Sequence, residues 1–115
     1  MKKVLVIVQD SPFNTLRPSE GFRMTMGLSL ADNEVSLLLM EDGVFNLLPL
    51  KAEAIGSPSI QTYLEYFPKV HVQLYAESGA LAERKIRSLP DGVRTISYQE
   101  ASKLISTAEV VIPFR

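Results

Sequence analysis

The chain has 115 residues, which is enough for one domain with its own core and too few for two. Apolar residues make up 46% of it and exclude a disordered chain, while a net charge of −1 gives no general attraction to nucleic acid or to an anionic membrane. The absence of cysteine and the single histidine exclude disulfides, thiolate nucleophiles and a multi-histidine metal site within one chain. We therefore expect one domain over residues 1–115, with neither a metal nor a cofactor.

The first apolar run, Val4–Val8, has the β-branched composition of a strand that is buried on both faces. It is too short to span a membrane, and Gln9 and Asp10 follow it without the small-residue cleavage site of a secretion signal. We therefore expect a cytoplasmic protein without a membrane contact. The loop that follows the strand carries Asp10 and Ser11.

The first helix is predicted to begin at Pro18, Ser19 and Glu20, because a proline and an acid favour a helix N-terminus. Its apolar stripe has helical spacing and consists of Phe22, Met24, Met26, Leu28 and Leu30. Gly27 weakens this helix by about 1 kcal/mol relative to alanine. Close packing of the helix on the sheet is the explanation that we expect for this glycine.

The second strand, Val35–Met40, leads directly to Asp42 and Gly43. A short helix follows, and its apolar face consists of Val44, Leu47 and Leu48. Asp42 stands at the N-cap position of this helix. Its carboxylate is predicted to accept a hydrogen bond from the backbone N–H of Val44 or Phe45.

The next helix is predicted to begin at Ser57 and Pro58 and to end at Pro68. Its stripe is the clearest in the chain and consists of Ile60, Tyr63, Leu64 and Phe67. The third strand, Val70–Ala76, alternates between two faces. One face carries Val70, Val72, Leu74 and Ala76, and the other carries His71, Gln73 and Tyr75.

Ser78 is predicted to cap a helix that runs through Ser88. A short strand, Val93–Ile96, comes next, and the spacing of Ser97 and Glu100 is that of a capping box for the last helix. Strands that alternate with helices indicate a three-layer α/β/α sandwich with a mainly parallel sheet. The five strands are expected near residues 3–8, 34–40, 70–76, 93–97 and 109–114.

The loops after the first three strands are expected to meet, because parallel strands end at one edge of a sheet. We assign a small-ligand site to polar and glycine residues in these loops, namely Asp10, Ser11, Asp42, Gly43, Glu77, Ser78 and Gly79. Helix capping also accounts for Asp42 and Ser78. No pair of a nucleophile and a base is apparent, so no catalytic residue is predicted.

An intersubunit surface is predicted from three side chains that point away from apolar faces, namely Tyr66, His71 and Tyr75. Tyrosine is common in interface cores because it buries a large area and keeps a polar group. We predict an oligomer, a dimer or higher, that buries Tyr66 or Tyr75 between chains. His71 lies within the predicted third strand and suits a structural or interface role better than catalysis.

The run Asp42-Gly43-Val44-Phe45-Asn46-Leu47-Leu48-Pro49 resembles the DsrE/DsrF-like family, and most closely its DsrF/TusC branch. The first strand with its loop, the run Ser19-Glu20-Gly21 and, more weakly, Leu81-Ala82-Glu83-Arg84 extend the resemblance along nearly the whole chain. It implies a small α/β/α sandwich that assembles into dimers, trimers or hexamers. In sulfur-relay members, a DsrE/TusD-type subunit carries a persulfide on a cysteine at the start of the helix after the third strand. Glu77 or Ser78 stands nearest to that position here, and neither can hold a persulfide.

The resemblance therefore implies a non-catalytic DsrF/TusC-like subunit of a sulfur-relay assembly, with cysteine-bearing DsrE-like subunits as partners. A homo-oligomer that binds a small ligand, such as a nucleotide or another anion, is the open alternative.

Overall fold

The computed structural model of the protein describes residues 2–12, 17–48 and 60–115. Its strands are β1 Lys2–Val8, β2 Asn33–Leu39, β3 Gln73–Glu77, β4 Val93–Ile96 and β5 Val110–Phe114. Its α-helices are α1 Arg17–Leu30, α2 Ile60–Tyr66, α3 Ser78–Glu83 and α4 Tyr98–Thr107. Two 3-10 helices add to these, Glu41–Leu47 after β2 and Phe67–Val70 after α2. None of the helices in these ranges is long and apolar enough to cross a membrane.

The five strands form one sheet in the order β4-β3-β2-β1-β5, and every neighbouring pair is parallel. β1 lies between β2 and β5, and its residues Val4–Val8 are all buried. Two-sided burial explains why this strand reads as a continuous apolar run rather than an alternating one. The predicted five-stranded parallel sheet is confirmed.

The helices cover the two faces of the sheet unequally. The larger core packs α1, α2, α3 and both 3-10 helices on one face through Phe22, Val44, Leu64, Phe67 and Leu81. On the other face, α4 packs through Ala101, with Leu104 and Ile105 partly buried beside it. The sheet residues beneath α4 are Leu5, Ile7, Leu38 and Ile96. This is the predicted three-layer α/β/α sandwich, with a single described helix in its third layer.

The predicted core stripe of α1 is partly wrong. Phe22 is fully buried, but Met24 is 41% exposed and Leu30 is 73% exposed. Gly27 does not pack on the sheet, since a Cβ added there would meet nothing within 4 Å. The close approach occurs at Gly21, where an added Cβ would lie 2.9 Å from Cγ2 of Val8 and 3.2 Å from Cδ2 of Phe114. The helix therefore turns its Gly21 side, rather than its Gly27 side, to the sheet.

Two predicted boundaries also move. β3 begins at Gln73 and not at Val70, because Pro68 lies in a 3-10 helix that ends in a left-handed residue, His71, with φ 61°. His71 is thus an exposed cap residue and not part of a strand. α3 ends at Glu83 rather than at Ser88, and Lys85 just beyond it has φ 56°. The predicted helix start at Ser57 and Pro58 lies outside the described residues.

Candidate functional site

The three strand-end loops meet at one edge of the sheet, as the parallel topology requires. The backbone N–H of Met40 donates to the carbonyl of Val8 at 3.1 Å, which ties the end of β2 to the end of β1. The first 3-10 helix begins immediately afterwards, at Glu41, and α3 begins directly at the end of β3. The loops that carry the residues assigned to this edge are thus close together. Two of the assigned side chains, Asp42 and Glu77, already bond to other groups of the chain.

Gly43 allows the first 3-10 helix to cross over the end of β1. A Cβ added at Gly43 would lie 1.9 Å from the carbonyl oxygen of Val8, a distance that no side chain can tolerate. The N–H of Gly43 donates to the carbonyl of Met40 at 2.8 Å. Gly43 is therefore required for packing. It lies at the strand-end edge, where the sequence predicted it.

Asn46 links the 3-10 helix to the loop after β1. Its Nδ2 donates to the carbonyl of Asp10 at 3.0 Å and to the carbonyl of Gly43 at 2.8 Å. The side chain is fully buried, and within the described residues its Oδ1 has no hydrogen-bond partner. Breaking both bonds of Nδ2 would leave a second buried polar atom of this side chain without a partner, which is costly. Asn46 therefore holds the Asp10 backbone in place relative to the start of the 3-10 helix.

Asp42 is not a helix cap, and that prediction is wrong. The N-cap of the 3-10 helix is Met40, which makes no side-chain cap bond, so Asp42 lies inside the first turn. Its Oδ1 accepts a hydrogen bond from Nε of Arg84 at 3.0 Å and lies 2.9 Å from Nη2 of the same guanidinium, in a salt bridge. The Arg84 guanidinium also donates to the carbonyl of Ala80 and lies 5.8 Å from the centroid of the Phe45 ring. Asp42 thus connects the 3-10 helix to α3.

The start of α3 is capped by Glu77 and not by Ser78, which corrects a second prediction. The Glu77 carboxylate is buried and accepts hydrogen bonds from the N–H groups of Gly79 and Ala80, the latter at 3.2 Å. Ser78 is exposed in the first turn of the helix. Glu77 therefore occupies these two amides with a carboxylate of the chain itself.

The three residues assigned to an interface lie apart. Tyr66 belongs to α2 and is 50% exposed, with Nζ of Lys69 5.2 Å from its ring centroid. Tyr75 is half-buried on the opposite face of the sheet, in the cluster that packs against α4. Because the sheet separates them, one flat contact cannot bury both tyrosines.

A groove of about 410 Å³ runs beside α4 on this second face. Tyr75, Ile96 and Leu104 form its apolar part. The remaining lining side chains are polar or charged, namely Lys3, Arg94, Glu100, Lys103 and Thr107. Three cations thus face one carboxylate, which makes the groove positive overall.

The carboxylate of this groove belongs to the predicted capping box of α4, which is confirmed. The N–H of Ser97 donates to Oε1 of Glu100 at 2.9 Å, and the N–H of Glu100 donates to the Ser97 hydroxyl at 3.1 Å. The backbone bond from Ser97 is the main cause that holds the pKa of Glu100 below its ordinary value of 4.5, and the Ser97 hydroxyl and Arg94 lower it further. Glu100 is therefore ionised at neutral pH.

Sequence reasoning missed Asn46 and Arg84 at the strand-end edge. Asn46 carried a usable signal, since it is a polar residue between Phe45 and Leu47 in an otherwise apolar run. Arg84 carried none, because its partner Asp42 is 42 positions away. Among the described residues, no group of three or more histidine, aspartate and glutamate side chains could hold a metal ion.

The fold and the strand-end edge define a small three-layer protein whose helix after β3 begins with a buried acidic cap. A family model described as the DsrE/DsrF-like family matches residues 2–114, and the chain belongs to this family. A search of curated proteins gives no match. The crystal structure of the YchN protein from E. coli is similar, with a TM-score of 0.86, 24% sequence identity, and coverage of 99% of this chain and 100% of that one. At that identity, the likeness confirms the fold.

Proposed function

We propose that the protein is a non-catalytic, DsrF/TusC-like subunit of a sulfur-relay assembly. The observation that carries the proposal is Glu77 at the start of α3, because the family resemblance puts the persulfide cysteine of carrier subunits nearest to Glu77 or Ser78. Its carboxylate accepts hydrogen bonds from the N–H groups of Gly79 and Ala80. The chain has no cysteine at all, so a neighbouring residue cannot substitute for the missing carrier.

The chemistry of sulfur carriage supports this interpretation. A carrier needs a thiolate, and positive partial charge at a helix start favours the thiolate by lowering the pKa of the cysteine. In this protein the corresponding amides are already bonded to a carboxylate. A persulfide anion brought to the same place would meet the negative charge of Glu77. The strand-end edge is therefore suited to a structural subunit rather than to a carrier.

The partner in this proposal is a cysteine-bearing DsrE-like subunit, and the groove beside α4 is the surface that we propose for the contact. The groove includes Tyr75, one of the tyrosines predicted to be buried between chains. Its three cations and one carboxylate favour a partner whose facing surface is acidic, because complementary potentials speed association and exclude wrong partners. The same surplus of positive charge disfavours two of these grooves facing each other.

Co-expression tests the proposal directly. The chain, carrying an affinity tag, is produced together with a cysteine-bearing DsrE-like homologue from the same genome. The expected result is a stoichiometric complex that survives size-exclusion chromatography. Alkylation of the homologue's cysteine serves as a control, because a structural contact through the α4 groove does not require that thiol.

The contrary result is a stable homo-oligomer that never pairs with any such homologue. That outcome would favour the alternative, a homo-oligomeric protein that binds a small ligand at the strand-end edge. The residues assigned to that site from the sequence are Asp10, Ser11, Asp42, Gly43, Glu77, Ser78 and Gly79. Thermal stabilisation by members of a nucleotide and anion panel would then identify the ligand class. Loss of that stabilisation in Asp42→Ala would locate the ligand at this edge.

A further inference from the structure

The outer face of α1 contains a glycine that the chain itself does not explain. Gly27 is exposed in the middle of this helix, and an added Cβ would meet nothing within 4 Å. Its φ is not positive, so the backbone does not require glycine either. Glycine in a helix interior destabilises it relative to alanine. The residue therefore has a cost and no intramolecular benefit among the described residues.

Exposed apolar side chains flank this glycine on the same face. Met24 lies three residues before Gly27 and is 41% exposed, and Leu30 lies three residues after it and is 73% exposed. A groove of about 410 Å³ opens over Gly27, and its other lining residues are Glu20, Arg23, Met24, Leu28 and Phe114. The helix thus presents a notch with an apolar residue on either side, which is a surface that a second helix can approach closely.

We propose that α1 binds α1 of a second copy of the chain, antiparallel, across a two-fold axis at Gly27. In an isologous contact each residue meets the one related to its own position by symmetry. Gly27 then faces Gly27, and Met24 of each copy packs on Leu30 of the other. The arrangement buries both exposed apolar side chains and uses the missing Cβ for close approach of the two backbones.

Charge favours the same arrangement. The antiparallel orientation brings Arg23 of one copy to the carboxyl end of α1 in the other. The last turn of α1 has no basic residue of its own. A cation at the carboxyl end of a helix is stabilising, so each copy supplies a charge that the other lacks. By contrast, two copies that met at the α4 grooves would oppose three cations to three.

Sedimentation velocity of Gly27→Leu tests the proposal. The space around Gly27 is open in one copy and leucine is a good helix former, so the variant is expected to keep or raise the melting temperature. The same side chain blocks the second helix, and the dimer dissociation constant is expected to rise roughly tenfold or more. Ser102→Leu, which adds leucine to an exposed position of α4, is the matched control and leaves the constant unchanged.

Cross-linking gives a second, independent measurement, because the chain has no cysteine of its own. A disulfide needs two Cα atoms within about 4.4–6.8 Å, and the proposed axis brings the two copies of position 27 together. Mild oxidation of Gly27→Cys is expected to yield a covalent dimer, whereas Ser102→Cys yields little. A monomeric protein at high micromolar concentration would overturn the proposal, and so would an oligomer that Gly27→Leu leaves intact. The contact leaves the α4 groove open, so its test is independent of pairing with a cysteine-bearing subunit.

Discussion

Gly43 and Gly27 both lie in helical segments, yet their surroundings predict opposite effects of the same substitution. At Gly43 a methyl group would lie 1.9 Å from the Val8 carbonyl, and at Gly27 it would meet nothing within 4 Å. Gly43→Ala is expected to lower the free energy of unfolding by about 3 kcal/mol, because the clash is with backbone that cannot move aside. Gly27→Ala is expected to raise it by about 0.5–1 kcal/mol.

Urea unfolding of both variants, at a concentration where the chain is monomeric, measures this difference. Gly27→Ala controls for the general effect of adding a methyl group to a helix. Unchanged stability of Gly43→Ala would contradict the close crossing of the 3-10 helix over β1.

The second prediction at the scale of a single residue concerns the helix cap that Glu77 provides. Glu77→Ala removes the cap of α3 and is expected to lower the free energy of unfolding by about 1 kcal/mol. Glu77→Gln is expected to lose less, because its amide oxygen still accepts a hydrogen bond. Glu83→Ala, at an exposed position in the same helix, is the control in urea unfolding. Equal losses for Glu77→Ala and Glu83→Ala would show that the cap does not stabilise α3.

The residues at the strand ends were predictable as a group, whereas their individual roles were not. Sequence pattern located Asp42, Glu77 and Ser78 at one edge, because parallel strands end together. It assigned the caps to Asp42 and Ser78, but a cap depends on the residue at which the helix begins. Packing sets that point one residue earlier at Glu77 and two residues earlier at Met40.

At the scale of elements, the sequence predicted strands better than helix lengths. All five strands are present, and the central strands β1 and β2 were the clearest in the sequence because each is an apolar run that the sheet buries. The start of β3 was wrong because Val70 continues the apolar pattern while its backbone is in a 3-10 helix. The end of α3 was wrong because periodicity continues to Ile86, but Lys85 adopts a left-handed conformation that stops the helix. Apolar spacing reports which side chains are buried, and it does not report backbone dihedral angles.

The capping box of α4 predicts a pH dependence. Hydrogen bonds from Ser97 lower the pKa of Glu100 in the folded chain. A lowered pKa means that its contribution to stability is complete above the ordinary value of 4.5 and is lost as the pH falls through the lower folded value. Glu100→Gln should therefore be less stable than the parent protein at pH 7, and the difference should shrink at pH 3.

Urea unfolding of both proteins at the two pH values measures this change. Glu83→Gln, at an exposed position outside any capping box, is the control. A difference between parent and Glu100→Gln that stays the same at both pH values would contradict the assignment of the ionised carboxylate to the box.

For the whole molecule, the sequence predicted helices on both faces of the sheet and not their distribution. An amphipathic stripe shows that a helix packs on something, but it does not say on which face. The connections decide this. The chain passes from β1 to β4 with its described helices on one face, and α4 then returns across the other face to reach β5 at the far edge. That return leaves the groove beside α4, which no local motif indicated.

The last prediction concerns the charge of this groove. Arg94→Glu together with Lys103→Glu changes three cations and one carboxylate into one cation and three carboxylates. If the groove binds an acidic surface of a cysteine-bearing subunit, the double variant should raise the dissociation constant roughly tenfold or more, with the loss strongest at low salt. Tyr75→Glu should weaken the same complex, because it puts a charge into the apolar part of the groove.

The matched control is Lys85→Glu together with Arg87→Glu, which makes the same change of charge at exposed positions after α3. Tyr66→Glu adds a control on the opposite face, where Lys69 already lies over the tyrosine ring. Binding of each variant to the immobilised cysteine-bearing subunit gives the constants. An equal loss of affinity in the groove double variant and in the Lys85 and Arg87 double variant would show that net charge, and not this surface, governs the pairing. If Tyr66→Glu lowers the affinity and Tyr75→Glu does not, the contact lies at α2 rather than at the groove.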